Sequence, residues 1–188
     1  MPRHNVIILS GPSGSGKTTL YKKILNDFVF AKILAKTVSY TTRLPRQGEI
    51  NGLDYFFISR VMFDYKIRAK HFLEHETFFG HSYGTARKNV KDILSQKNAL
   101  LCIDVKGAKT VRKHFPQAIS FFIKAPNLQE LKKRLMVRGS ESTKELVRRI
   151  ERVKEELKHA DEYDYIFIND DLDVCYQKLK SVLIKKLS

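Results

Sequence analysis

The stretch Val6-Ile-Ile-Leu-Ser-Gly11-Pro-Ser-Gly-Ser-Gly16-Lys17-Thr18 decides how this chain is read. An apolar run of strand length leads into the spacing Gly-x-x-x-x-Gly-Lys-Thr, and Leu20, Ile24 and Leu25 then recur at helical intervals as far as Asp27. Strand, glycine loop and helix in that order predict a phosphate-binding loop. Glycines let successive backbone N–H groups turn inward, and the helix start adds its positive end to the same cradle. Lys17 can reach the β- and γ-phosphates of a nucleoside triphosphate, and the Thr18 hydroxyl can coordinate the Mg²⁺ that bridges them.

Working outward, the chain alternates strand and helix. Strands are expected at Val6–Ser10, Ala99–Asp104, Ala118–Ile123 and Tyr165–Ile168. Helices are expected at Lys17–Asp27, Ala86–Gln96, Gly107–His114, Asn127–Arg138 and Leu172–Leu187, with one more starting at the capping box Ser142-Thr-Lys-Glu145. That alternation predicts an α/β domain with a parallel sheet covered on both faces. Between Lys36 and Gly84 the pattern changes. Short extended pieces, Thr37–Thr42, Tyr55–Ile58 and Phe72–Glu74, are broken by Pro45, Gly48, Gly52 and Gly80, which reads as an inserted lobe.

Composition narrows the function classes. Among 188 residues, 35 Lys and Arg against 20 Asp and Glu give a net charge of +15, a field that favours polyanionic ligands of any kind. Nucleic acid is not favoured as the primary partner, because no recognition module with aromatics interleaved for base stacking is present. The longest apolar runs span only a few residues and no secretory apolar core opens the chain, so a soluble, cytoplasmic protein is expected. Cys102 and Cys175 lack the pattern of a disulfide framework or a metal site and are read as reduced packing residues. His71, His75 and His81 have no acidic or cysteine partner to complete a zinc set and are read as polar surface residues.

The inserted lobe supplies the more specific signal. Val38-Ser-Tyr-Thr-Thr-Arg43-Leu-Pro-Arg46-Gln-Gly-Glu49, Asp54-Tyr55-Phe-Phe, Phe72-Leu-Glu74-His, Tyr83-Gly-Thr85, Ile103-Asp104 with Gly107, Arg134-x-x-x-Arg138-Gly139 and Glu162-Tyr-Asp-Tyr165 before Asn169-Asp-Asp171 follow one another in order. Together they resemble the guanylate kinase family over essentially the whole chain. The resemblance implies a P-loop NTPase three-layer fold with a parallel sheet, an inserted GMP-binding lobe and a helical lid. It divides a single domain into a core of residues 1–36, 87–126 and 161–188, a lobe of residues 37–86 and a lid of residues 127–160. It further implies transfer of a phosphoryl group from Mg-ATP to GMP, with dGMP a second acceptor, in a monomer or homo-oligomer that does not engage a membrane.

The site residues follow from matching positions. Gly11, Pro12, Ser13, Gly14, Ser15, Gly16, Lys17, Thr18, Thr19 and Asn169 are implied for ATP. Ser39, Arg43, Arg46, Tyr55, Glu74, Tyr83, Thr85 and Asp104 are implied for GMP, and Lys17, Arg134, Arg138 and Arg149 for catalysis. The residue types suit these tasks. Two guanidinium forks can hold a phosphate dianion, tyrosine hydroxyls add neutral donors, and one carboxylate can accept both guanine N1–H and N2–H₂. Hydroxyls at Ser39 and Thr85 suit guanine O6. Taken singly, Arg43 and Arg46 read more readily as a solvated basic loop, and Glu74 is equally compatible with the outward residue of a strand. In one place the chain departs from the family: many members carry Asp-x-Asp at the strand end, where this chain has Cys102 and only Asp104. Three other functions compete with this reading: a catalytically silent interaction module of the same fold, a kinase of phosphorylated sugars, and an RNA-binding protein.

Overall fold

The computed structural model describes residues 4–137 and 143–187. The chain divides into two compact units. One takes in the described residues through Val6, Leu34–Leu101 and Lys106–Ala118; the other takes in Ile7–Ile33, Cys102–Val105 and the chain from Ile119 onward.

The second unit holds three parallel strands, β1 (Val6–Ser10), β8 (Ile119–Lys124) and β9 (Tyr165–Ile168), with β8 pairing both of the others. Every residue of β1 is buried, which is why its sequence reads as an unbroken apolar run with no alternation. Helix α1 (Lys17–Asn26) buries Leu20 and Ile24 and stops one residue short of the expected end, because Asp27 turns extended and caps the short α2 (Phe28–Ala31) by accepting from Val29 N–H. Helices α6 (Leu128–Val137) and α7 (Thr143–Leu157) pack through Leu131, Leu135 and Val153, with Leu128, Leu146 and Leu157 against them. The last helix, α8 (Leu172–Leu187), buries Cys175, Tyr176, Leu179 and Leu183. Of the expected features, Arg138, Gly139 and Ser142 lie outside the described residues.

The first unit pairs β2 (Leu34–Lys36) with β7 (Asn98–Cys102) in parallel and carries α4 (Arg87–Leu94) and α5 (Val105–His114). It also holds a four-stranded sheet in the order β4 (Tyr55–Phe57), β3 (Ser39–Thr41), β6 (His81–Ala86), β5 (Phe72–Phe78). The reading of this lobe as extended pieces alone is corrected by α3 (Arg60–Arg68), whose start Ser59 caps by accepting from Met62 N–H. Its single buried residue is Phe63, while Val61, Met62 and Tyr65 are exposed, so no apolar stripe advertises the helix. Strand β5 also runs past Glu74 to Phe78. It turns at Phe79 and Gly80, both at positive φ, into β6 with Phe78 paired to His81, the geometry of a two-residue hairpin.

One irregularity in that hairpin matters for the site. The register shifts between Phe72 and Glu74, and the bulge breaks strand alternation so that Phe72, Leu73 and Glu74 are all buried. Across the pair, a Cβ on Gly84 would stand 2.9 Å from the Phe72 ring, so the close approach there needs glycine.

Candidate active site

Each unit carries one half of the expected residues. In the second unit, the loop after β1 closes on itself through Ser15 N–H donating to the Pro12 carbonyl at 3.2 Å. Gly16 enters α1 at φ 89° and brings no side-chain cap, so the first N–H groups of the helix are not bonded by a side chain at that position. A Cβ at Gly11 would lie 2.1 Å from the Ile123 carbonyl oxygen, and one at Gly16 would lie 2.1 Å from Asn169 Nδ2. Both positions therefore exclude any side chain.

Asn169 ties this loop to the end of β9. Its Nδ2 donates to the Ser15 carbonyl at 2.8 Å, and Arg134 Nη1 donates to its backbone oxygen at 3.1 Å. Arg134 is steadied by Glu130, one turn earlier on α6, at 3.0 Å. Together they border a cleft of about 430 Å³ lined by Gly14, Gly16, Thr19, Lys133 and Asp170 as well. Lys17 Nζ donates to the Pro12 carbonyl at 3.2 Å, within the loop. Thus Gly14, Ser15, Gly16, Thr19, Arg134 and Asn169, far apart in sequence, are brought together. Pro12 is buried, Ser13 half-buried, and Thr18 exposed on the first turn of α1.

The donor set around Thr18 fits a hard cation that arrives with phosphates. Among the described residues no group of three or more His, Cys, Asp or Glu side chains could hold a metal by itself. Thr18 instead offers one hydroxyl oxygen, a ligand type suited to Mg²⁺. Beside it, desolvation pushes the Cys102 thiol above its ordinary range, with Lys17 and the Thr18 hydroxyl pulling the other way.

In the first unit, Thr85 donates its hydroxyl to Glu74 Oε1 at 2.6 Å, and Ser39 Oγ lies 3.2 Å from Thr85 Oγ1. The three purine-reading candidates therefore form one hydrogen-bonded chain, with Glu74 and Thr85 buried. A second cluster surrounds Arg43. Its Nη2 donates to Glu49 Oε1 at 2.9 Å, Glu49 Oε2 accepts from Arg46 N–H at 2.8 Å, and the guanidinium lies 5.5 Å from the centre of the Tyr55 ring. Tyr83 stands edge-on to Tyr55 with ring centres 6.1 Å apart. Burial opposes charge on both Arg43 and Glu49, but their pairing outweighs it, raising Arg43 and lowering Glu49 from their ordinary values. The Arg46 side chain is exposed.

Sequence reasoning missed Glu49, although it lies inside the quoted motif, because a carboxylate in a basic loop reads as solvated until its two partners are seen. It also missed Arg152 of α7, which donates to Asp104 at 2.9 Å. Arg149 is half-buried on the same helix. Among the histidines, His71 corrects the surface reading. It is half-buried, its Nε2 is buried without a hydrogen-bond partner, and desolvation and Lys66 lower its pKa from the ordinary value. His75 is exposed.

A family model described as guanylate kinase matches residues 3–186. The chain belongs to the guanylate kinase family. The guanylate kinase of Nitrosospira multiformis is 41% identical over 177 residues, covering 94% of this chain and 83% of that one. That of Prochlorococcus marinus is 42% identical over 183 residues, covering 96% and 97%. Among solved structures, guanylate kinase from Anaplasma phagocytophilum superposes with a TM-score of 0.80 at 28% identity, covering 100% of this chain and 88% of that chain. The guanylate kinase family is one of P-loop NTPase fold, in agreement with the parallel strands and glycine loop described above.

Proposed function

We propose that the chain transfers the γ-phosphoryl group of ATP to GMP, with dGMP as a second acceptor, giving ADP and GDP. The observation that carries this reading is the hydrogen-bonded chain Ser39, Thr85, Glu74, whose last two members are buried. Guanine presents N1–H and N2–H₂ side by side, which one carboxylate accepts together; adenine offers no such pair. The Arg43 cluster with Tyr55, Tyr83 and Arg46 supports a phosphate dianion as the other half of the acceptor. Residues 37–86 then act as the acceptor lobe and residues 127–160 as the lid.

In the reaction a phosphate oxygen of GMP attacks the γ-phosphorus. The bond from that phosphorus to the β–γ bridging oxygen breaks, and ADP leaves with the electron pair. The attacking oxygen is already ionised at neutral pH, so no side-chain base is needed. Positioning and charge stabilisation remain as the work of the protein. The glycine loop and Lys17 hold the donor phosphates, Asn169 and Thr19 border the donor cleft, and Asp104 is assigned to the acceptor nucleoside by its match to the family position. Arg134, Arg138 and Arg149 offset charge on the transferring group. Mg²⁺ bound with ATP would neutralise part of the β- and γ-phosphate charge, with Thr18 as its protein ligand.

Cys102 and Cys175 are both unbridged, which suits a reducing, cytoplasmic setting. Among the described residues no helix is long and apolar enough to cross a membrane. The test is an ADP-coupled assay with ATP and each of GMP, dGMP, AMP, CMP and UMP. Turnover confined to the two guanine nucleotides is expected, and equal turnover of AMP would overturn the reading.

A further inference from the structure

Asp104 is the only carboxylate in the stretch Leu101-Cys-Ile-Asp-Val105, and a side chain from the lid helix holds it. Arg152 donates from Nη2 to Asp104 Oδ2 at 2.9 Å, while its Nε donates to Glu156 Oε1 at 2.7 Å, one turn along α7. All three side chains are sheltered, Asp104 to 13% exposure and Glu156 to 12%.

We propose that Arg152 is a positioning residue for phosphoryl transfer, acting through Asp104; this rests on the GMP kinase reading above. The guanidinium is a rigid planar fork, so fixing one edge on Glu156 sets the direction of the other nitrogen. Glu156 therefore aims Arg152, and Arg152 fixes one oxygen of Asp104. A sheltered ion pair of this kind is a weak source of net stability, because removing charges from water offsets the attraction. Its consequence is orientation. That matters more here than where a second carboxylate shares the strand end, since Cys102 stands in that place and Asp104 is the one carboxylate there assigned to the acceptor nucleoside.

The experiment compares the full chain with Arg152→Met, Arg152→Lys, Asp104→Asn and the double variant Arg152→Met with Asp104→Asn. kcat and KM are measured for GMP and ATP, together with thermal melting. Arg152→Met is expected to lower kcat about 10- to 100-fold, in line with displacement of a reacting-site group, with KM for ATP within about threefold. Arg152→Lys should recover part of kcat, since one ammonium keeps the charge but not the fork. The double variant, which removes both partners of the Arg152–Asp104 pair, should be within about twofold of Asp104→Asn alone. Two results overturn the proposal: Arg152→Met with kcat unchanged and only melting lowered, or a double variant slower than Asp104→Asn by the full Arg152→Met factor. If the unmodified chain fails to phosphorylate GMP, the functional reading falls and takes the proposal with it. An active chain indifferent to Arg152→Met removes the proposal alone.

Discussion

Thr85 and Glu74 face each other across β6 and β5, and the Thr85 hydroxyl donates to the Glu74 carboxylate at 2.6 Å in a buried setting. A carboxylate sheltered by the bulge at Phe72–Glu74 and tethered at one oxygen has a defined direction, which a flexible surface glutamate lacks. Glu74→Gln keeps the shape but presents one acceptor to two guanine donors. We expect kcat/KM for GMP to fall about 10- to 200-fold, the equivalent of losing a hydrogen bond to a charged group. Binding of a non-hydrolysable ATP analogue, followed by calorimetry, should be unchanged. Equal weakening of both nucleotides would count against the guanine role.

Lys17 and Gly16 test the donor half separately. Lys17→Ala should lower kcat by about 10²-fold or more through lost phosphate electrostatics, with melting little changed. Gly16→Ala should lose ATP binding as well as turnover. Its Cβ has no room beside Asn169 Nδ2, and φ 89° disfavours any side chain. Near-normal ATP binding by Gly16→Ala in a titration would show that the loop does not hold the donor as proposed.

Glu49 is expected to act on the acceptor phosphate through its hold on Arg43 and the Arg46 backbone. Glu49→Gln removes the charge that keeps the Arg43 fork in place, so KM for GMP should rise roughly 10-fold. The base should be read as before. Binding of guanosine, which has no phosphate, should therefore change little, and the preference for GMP over guanosine should shrink. A loss of guanosine binding as large as that of GMP would place Glu49 in the fold of the lobe instead.

Asp27 supplies a stability test away from the site. Its carboxylate accepts from Lys180 and Tyr176 of α8, and these bonds lower its pKa to about 2 in the folded chain. The group binds a proton more weakly folded than unfolded, where a carboxylate titrates near about 3.9. Its contribution is therefore present above that value and is lost as pH falls toward about 2. Asp27→Asn should lower the melting temperature by several degrees at neutral pH and flatten its fall between about pH 4 and pH 2. An unaltered acid limb would show that Asp27 is not a determinant of acid stability.

Much of the frame was legible because it rests on short-range rules. Strands β1 and β9 appear with the expected bounds, and so does α8. In β1 a strand buried on both faces reads as a continuous apolar run, and in α8 an amphipathic helix keeps its period. Helix α3 was not legible, since a helix set by the Ser59 cap and an Arg60–Asp64 pair, with only Phe63 buried, has no apolar stripe to reveal it. The orientation of Glu74 was open for a related reason. Period-two alternation from Phe72 makes Glu74 ambiguous, and only the bulge decides it. Glu49 and Arg152 draw their meaning from partners in space, Arg43 six residues away and Asp104 forty-eight away. Nothing local in the sequence marks either.

The central claim is that the γ-phosphoryl group goes to GMP and not to water. The most direct measurement is ³¹P NMR of the chain with ATP, Mg²⁺ and GMP, following the fate of the γ-phosphate resonance. Growth of the GDP β-phosphate signal in step with ADP, with negligible inorganic phosphate, is the result predicted. ADP rising together with inorganic phosphate while the GMP signal persists would contradict the account.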